Sequence, residues 1–116
     1  MNIKELQDKL QRFTDERDWD QFHTPKNLVM ALSGEVGELT EIFQWLTEEQ
    51  SKAIVMDMEK MKQVEEEIAD IQVYVLRLAH KLGVDIERAV EKKMRKNAEK
   101  YPVHLAKGNA KKYTEY

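Results

Sequence analysis

The sequence contains no cysteine, which excludes disulfides, thiol nucleophiles and zinc sites built on cysteine. Its 116 residues include only two prolines and four glycines. Because proline and glycine punctuate helices and mark turns, their scarcity favours a chain made mostly of helices. We find neither a strand pattern nor an internal repeat.

Long apolar runs and an excess of positive charge are also lacking. No stretch is apolar over the length needed to cross a bilayer, and residues 1–13 form an amphipathic pattern rather than a signal peptide. The formal net charge is −3, from 22 acidic and 19 basic residues, which argues against a surface for DNA or RNA. We therefore expect a cytoplasmic protein with neither a membrane nor a nucleic-acid partner.

Apolar residues that recur at helical spacing predict four helices, at 3–17, about 25–46, about 58–82 and 85–101. Thr24 is a candidate N-cap with Pro25 at the first helical position, and Gly83 is a candidate C-terminal cap. Residues 47–57 are expected to form a loop with one helical turn. The predicted fold class is all-α, an antiparallel four-helix bundle completed by oligomerisation. The helical domain should span residues 1–102, with 103–116 as its flexible tail.

Two acidic pairs interrupt helix faces that are otherwise apolar. At about 100° per residue, Glu35 and Glu38 fall within the apolar arc of the second helix, and Glu67 and Asp70 do the same on the third. A buried carboxylate is costly unless it is protonated, paired with a cation or bound to metal. Because Mg²⁺ prefers carboxylate oxygens, these four residues predict a magnesium site.

Two alternatives to a magnesium site stay open for the acidic pairs. The carboxylates could pair with Lys or Arg across the bundle, although the sequence offers few inward-facing cations to match four acids. A di-iron bundle would instead need Glu-x-x-His repeats. Neither His80 nor His104 lies three residues after a Glu of these motifs, which weakens the di-iron alternative.

The fourth helix and the aromatic residues predict contacts to a nucleotide. The apolar face of that helix continues with two cations and an amide that suit phosphates: Lys93, Asn97 and Lys100. Tyr74 lies one turn after Asp70, so a base could stack there beside the phosphates. Further aromatics lie in the loop WDQFH (19–23) and at Trp45. The helix end could simply be solvated, and each aromatic could be an ordinary core residue.

These motifs resemble the all-α NTP pyrophosphohydrolases of the MazG type. That family's Glu-x-x-Glu, spacer, Glu-x-x-Asp signature matches SGEVGELTEIFQW (33–45) and EEIADIQVYV (66–75). Within the family, the dCTP pyrophosphatases are similar from about residue 10 to the end, through RDWDQFHTPKNLVMALSGEVGELTEIFQW, KMRKNAEKYP and KKYTE. One departure is Leu10, where those enzymes carry a histidine that contacts the substrate. The departure leaves the strictness of cytosine selection open.

The resemblance implies a set of roles. Mg²⁺ would be held by the four acidic residues, and phosphates would be contacted by Lys93, Asn97 and Lys100. The base and sugar pocket would be lined by Trp19, Asp20, Gln21, Phe22, His23, Trp45 and Tyr74. Chains of the family assemble as dimers or as dimers of dimers, so a homotetramer with sites shared between subunits is expected.

The function implied is Mg²⁺-dependent hydrolysis of a nucleoside triphosphate, dCTP to dCMP and diphosphate, in nucleotide-pool sanitation. Either Glu38 or Glu41 could take the proton of the attacking water. The substrate could instead be another or a modified nucleotide. A non-catalytic Mg²⁺–nucleotide sensor and a purely structural helical module are the remaining alternatives, and the four in-phase carboxylates favour the enzyme.

Overall fold

A computed structural model describes all 116 residues and contains helices but no strand. The predicted all-α class is therefore confirmed. Three short 3₁₀ turns accompany the helices, at Asp20–Phe22, Ile54–Met56 and Tyr113–Glu115. In chain order the α-helices are α1 (Ile3–Glu16), α2 (Pro25–Phe43), α3 (Glu48–Ala53), α4 (Met58–Leu82), α5 (Ile86–Lys100) and α6 (Val103–Ala106).

The predicted helix ends are confirmed where a local cap specifies them. The Thr24 hydroxyl accepts a hydrogen bond from the backbone N–H of Asn27 at 3.2 Å, and Pro25 occupies the first turn of α2. Gly83 ends α4 with φ of 67°, a left-handed conformation that glycine adopts without strain. Asp85 caps α5 by accepting from the N–H of Arg88.

The connection between α2 and α4 differs from the prediction. α2 ends at Phe43 rather than near residue 46, and the segment expected to be mostly a loop contains α3 and a 3₁₀ turn. A capping box explains the extra helix, because Thr47 and Gln50 each accept a hydrogen bond from the backbone N–H of the other. The one helical turn expected in this segment is the six-residue α3, and the apolar pattern could not give its bounds because six residues are too few to display a helical period.

Residues Met1–Gly83 form one compact unit. Within it α4 packs along α2 and also contacts α1, so α4 contributes to both interfaces. The apolar core is small and consists of Leu28, Ile54, Val64, Leu76 and Ala79.

Residues Val84–Tyr116 form a second unit, which contains α5, α6 and the last 3₁₀ turn. Its Tyr101 ring meets the rings of Tyr113 and Tyr116 edge-on, with centroids 6.0 Å apart in each pair. The flexibility expected of residues 103–116 stays a prediction. None of the helices combines the length and the apolar character that a membrane span requires.

Candidate metal and nucleotide site

Three of the four predicted metal ligands come together where α2 packs along α4. Glu35 and Glu38 lie one turn apart on α2, Glu67 projects from α4, and one carboxylate oxygen of each lies within 4.8 Å of the others. Oε2 of Glu35 and Oε2 of Glu67 are buried and have no hydrogen-bond partner in the chain. A buried oxygen without a donor is costly, so this cluster is ready to accept a proton or a cation.

The pKa values of Glu35 and Glu67 are raised, as expected for carboxylates crowded together. A protonated Glu67 can donate to the adjacent Glu35 carboxylate, and this interaction, followed by burial, raises the pKa of Glu67 to about 7. For Glu35, the bond with Glu67 lowers the pKa, but burial and the nearby charges of Glu38 and Asp70 outweigh it and the net shift is upward. The cluster therefore holds more protons than three isolated glutamates would, unless a cation compensates its charge.

A cavity of about 430 Å³ opens beside these carboxylates. Glu38, Glu41, Glu66 and Glu67 line it together with two uncharged residues, Ile42 and Gln63. Glu41, one of the two residues that could take the water's proton, therefore faces the same space as Glu38. The acidic walls suit cations better than bare phosphates.

Asp70 is the predicted ligand that does not join the three glutamates. It is exposed and lines a second cavity of about 300 Å³ between α1, α4 and the loop that joins α1 to α2. Its charge and that of Glu35 help to raise the pKa of Tyr74, after burial, which is the larger cause. Tyr74 therefore lies between the carboxylate cluster and the second cavity.

The second cavity contains part of the predicted base pocket. Trp19, His23 and Tyr74 line it, together with Leu10, Phe13, Thr14, Val73 and Arg77. The Phe13 and Trp19 rings meet edge-on with centroids 5.9 Å apart. Leu10, the position that departs from the dCTP pyrophosphatase pattern, is thus in the cavity wall.

Other predicted nucleotide contacts lie away from this cavity within the single chain. Asp20, Gln21 and Phe22 belong to the same loop but do not line it. The Trp45 side chain is 85% exposed after the end of α2.

The predicted phosphate-binding residues Lys93, Asn97 and Lys100 belong to the second unit. They are exposed along α5, and Nζ of Lys100 lies 4.9 Å from the centre of the Tyr113 ring. Their contact with phosphates stays a prediction.

The sequence patterns did not predict a buried polar network that lies next to the second cavity. The guanidinium of Arg77, on α4, donates to His23 Nδ1 at 3.3 Å, to Asp20 Oδ1 at 3.1 Å and to Gln11 Oε1. Asp20 also accepts from Lys81 Nζ at 2.7 Å, and the bonds from Lys81 and then Gln11 hold the pKa of Asp20 far below its usual range. The one signal in the sequence was a cation seven residues after Asp70 on the same helix face.

The network also bears on the alternative interpretation, in which Lys or Arg side chains pair with the four predicted acidic ligands. Arg77 is the inward-facing cation of α4, yet it pairs with Asp20. The chain's four salt bridges involve none of Glu35, Glu38, Glu67 and Asp70. Within the chain, the ion-pair alternative for these carboxylates is therefore wrong.

Comparison with known proteins identifies related chains. The sequence model of the MazG-like family matches residues 30–116. dCTP pyrophosphatase 1 from Rattus norvegicus is 46% identical over 103 residues, which are 89% of this chain and 61% of that protein. The Homo sapiens protein of the same name is 45% identical over the same coverage. The chain thus spans about 61% of the length of these curated relatives.

A solved structure is similar as well. A pyrophosphatase from Archaeoglobus fulgidus superposes with a TM-score of 0.78 at 45% sequence identity. The match covers 85% of this chain and 91% of that one.

Proposed function

This chain belongs to the MazG-like family, and we propose that it is a Mg²⁺-dependent nucleoside triphosphate pyrophosphohydrolase whose substrate is dCTP. The reaction adds water between the α- and β-phosphates, so that dCTP and water give dCMP and diphosphate. The names of the relatives from Rattus norvegicus and Archaeoglobus fulgidus support the reaction type, and the former supports the base.

The observation that carries the proposal is the group of three carboxylates with two buried oxygens that lack partners. A purely structural cluster would be stabilised by hydrogen-bond donors, and the chain supplies none to Oε2 of Glu35 or of Glu67. The donor set consists only of carboxylate oxygens, which suits a hard divalent cation such as Mg²⁺. Glu35, Glu38 and Glu67 would hold it, with Asp70 as a further ligand toward the substrate.

When bound, Mg²⁺ would neutralise phosphate charge and make water a better nucleophile. The remaining work belongs to side chains of this protein. α2 and α4 hold the acids at fixed spacing, and Glu38 or Glu41, which both line the acidic cavity, would take a proton from water. Trp19 and Tyr74 would hold the base in the second cavity. Lys93, Asn97 and Lys100 would contact the leaving diphosphate.

The products test the reaction type. A panel of deoxynucleoside and ribonucleoside triphosphates is incubated with the chain and Mg²⁺, and the products are separated by ion-exchange chromatography. We expect dCMP and diphosphate in equal amounts, with dCTP the best of the common substrates and 5-substituted dCTP analogues accepted. Orthophosphate and a nucleoside diphosphate as primary products would contradict the proposal, and binding of dCTP without cleavage would indicate a sensor.

Paired variants test the site. Glu35→Gln keeps the size of the side chain but removes its charge, so we expect turnover to fall to background and the rise in melting temperature on adding Mg²⁺ to disappear. Glu65→Gln, an exposed acid on another face of α4, is the matched control and should keep both. Circular dichroism checks that both variants remain helical.

A further inference from the structure

The Arg77 side chain is buried more deeply than its ion pair with Asp20 alone requires. The side chain is 1% exposed, and each of its three guanidinium nitrogens donates to a different side chain. Asp20 already has Lys81 Nζ as a closer cationic partner at 2.7 Å. Burying an arginine is costly unless each of its donors finds a well-placed acceptor. Because Asp20 is already paired with Lys81, the bond from Nε of Arg77 to His23 needs a separate explanation.

The bond from Arg77 fixes which nitrogen of His23 carries a proton. An arginine in a protein stays protonated and can only donate, so Nδ1 of His23 must be the acceptor and carries no hydrogen. The neutral imidazole then has its proton on Nε2. Burial and, next, the positive charge of Arg77 lower the pKa of His23, which also favours the neutral ring.

His23 lines the second cavity, and its Nε2–H makes no hydrogen bond within the chain. Among the cavity's other side chains, Leu10, Phe13, Trp19 and Val73 contribute apolar surface. Such a cavity gives a base stacking energy but little selectivity, because every base has a π-face. The cavity's other polar side chains are Thr14, whose hydroxyl donates to Leu10 O, Arg77, whose nitrogens are already bonded, and Asp70 and Tyr74. The Nε2–H of His23 is a donor of fixed orientation and can supply selectivity that the apolar surface lacks.

We propose that Arg77 is a positioning residue that holds His23 as an Nε2–H donor, and that this donor selects cytosine over uracil and thymine through the ring nitrogen N3. N3 of cytosine is an acceptor, whereas N3 of uracil and thymine carries a hydrogen. A uracil base would therefore place two donors against each other and leave both unpaired, which is costly in a buried site. The proposal rests on the proposed function and specifies how its site reads the base.

A substitution that frees the imidazole tests the proposal. In Arg77→Gln the amide can either donate to Nδ1 or accept from Nδ1–H, so His23 is no longer held in one tautomer. We expect the ratio of kcat/KM for dCTP to that for dUTP to fall by about fivefold to a hundredfold. Lys81→Gln removes another cation from the same network without touching His23, and it should leave the ratio unchanged.

A double-variant cycle separates positioning from general damage. His23→Ala should lower the dCTP to dUTP ratio, and adding Arg77→Gln to it should lower the ratio no further, because Arg77 acts through His23. A role in stability alone would reduce kcat/KM for both nucleotides equally. An unchanged ratio in Arg77→Gln, or a further loss in the double variant, would overturn the proposal.

The unmodified protein provides a test that does not depend on the folding of Arg77→Gln. Nitrogen-15 chemical shifts of the histidine rings, assigned with His23→Gln, report which nitrogen is protonated. We expect His23 to carry its proton on Nε2 at neutral pH, and a proton on Nδ1 would overturn the proposal even if Arg77→Gln does not fold.

The two proposals fail in different ways. Absence of diphosphate release from every nucleotide would contradict the proposed function, and the affinities for dCMP and dUMP would then supply the selectivity ratio. Diphosphate release with a selectivity independent of Arg77 would contradict only the positioning role.

Discussion

At the scale of single residues, carboxyl groups occupy two opposite environments in this chain. Asp20 accepts hydrogen bonds from Gln11, Arg77 and Lys81, and its pKa is lowered. Glu35 and Glu67 face each other without a cation, and their pKa values are raised. The difference lies in the neighbours, because donors stabilise a charged carboxylate and a second carboxylate destabilises it. The hydrogen bonds to Asp20 stabilise the loop that joins α1 to α2, whereas the Glu35–Glu67 pair is suited to binding a cation.

The raised pKa of Glu67 predicts a pH dependence of stability without metal. Glutamate ordinarily titrates near 4.5, so between there and about 7 the folded state keeps a proton that the unfolded state has released. The free energy of unfolding should therefore lose a contribution as the pH rises through this window. Urea denaturation in EDTA at several pH values measures it. The wild-type free energy should fall relative to that of Glu67→Gln, and parallel curves would contradict the assignment.

The position of Trp19 in the wall of the second cavity predicts a role in binding the base of the substrate. Replacing Trp19 by Ala removes an aromatic face that lines the cavity, so we expect KM for dCTP to rise by about tenfold to a hundredfold. The change in kcat should be smaller than that caused by losing a metal ligand. Trp19→Phe keeps an aromatic ring and should keep most of the affinity. Steady-state kinetics with the three proteins decide it, and an unaltered KM in Trp19→Ala would place the base elsewhere.

At the scale of elements, α4 organises the first unit. It starts at the Asp57 cap and ends at Gly83. Glu67, Asp70, Tyr74 and Arg77 follow one another at spacings of three and four residues, so one face carries them over about 15 Å. The helix thereby places a metal ligand, a stacking ring and the arginine of the loop network in a row, next to α1 and α2.

Replacement by alanine is expected to have opposite effects at two glycines, Gly83 at the C-terminal cap of α4 and Gly34 inside α2. Ala at Gly83 would have to adopt φ of 67°, so we expect Gly83→Ala to destabilise the fold by about 1 kcal/mol even though no atom lies near the added methyl. Gly34 lies inside α2 with open space around it, so Gly34→Ala should stabilise by about 0.5–1 kcal/mol. Chemical denaturation measures both. Equal effects would show that helix conformation does not control these sites.

At the scale of the whole molecule, large apolar side chains remain exposed in the segment that joins α2 to α4 and at the first residue of α4. Trp45 is 85% exposed, Met56 83% and Met58 86%. A chain of this size has a small core, and the buried apolar residues number only a few. Such a segment favours a contact with another chain.

We predict a homo-oligomer, a tetramer built from two dimers. The exposed apolar side chains of Trp45, Met56 and Met58 would be covered by another copy, which gives the small chain the burial it lacks. Light scattering should report several times the 13.7 kDa of one chain. A mass of 13.7 kDa at working concentrations would contradict assembly.

Trp45 links assembly to the base pocket. Its ring is exposed and does not line the second cavity, so we expect a second subunit to bring it to the base. We expect Trp45→Ala to raise KM for dCTP by about tenfold to a hundredfold through lost stacking. Light scattering on the variant distinguishes this from loss of assembly. An intact oligomer with an unchanged KM would remove Trp45 from the pocket.

The sequence predicted the helices and part of the site because these depend on residues close in the chain. Caps such as Thr24 and Gly83 act within a few residues, and Glu35 and Glu38 share a face through helical spacing alone. α3 was predicted only as one helical turn without a stated position, because its capping box acts without an apolar stripe. Asp70 lies apart from the three glutamates and lines the second cavity, which helical spacing alone does not predict.

The tertiary structure alone decided which distant residues meet. The bonds from Arg77 to Gln11, Asp20 and His23 join positions 54 to 66 residues apart, and no periodicity encodes them. Only the packing of α1 and the 17–24 loop against α4 encloses Arg77 and makes its hydrogen bonds obligatory, because a buried guanidinium must find acceptors. By itself the sequence determined the four long helices and the acids that could bind metal. The fold decided that Arg77 is paired with Asp20 and His23, whereas Glu35 and Glu67 are left with unpaired oxygens.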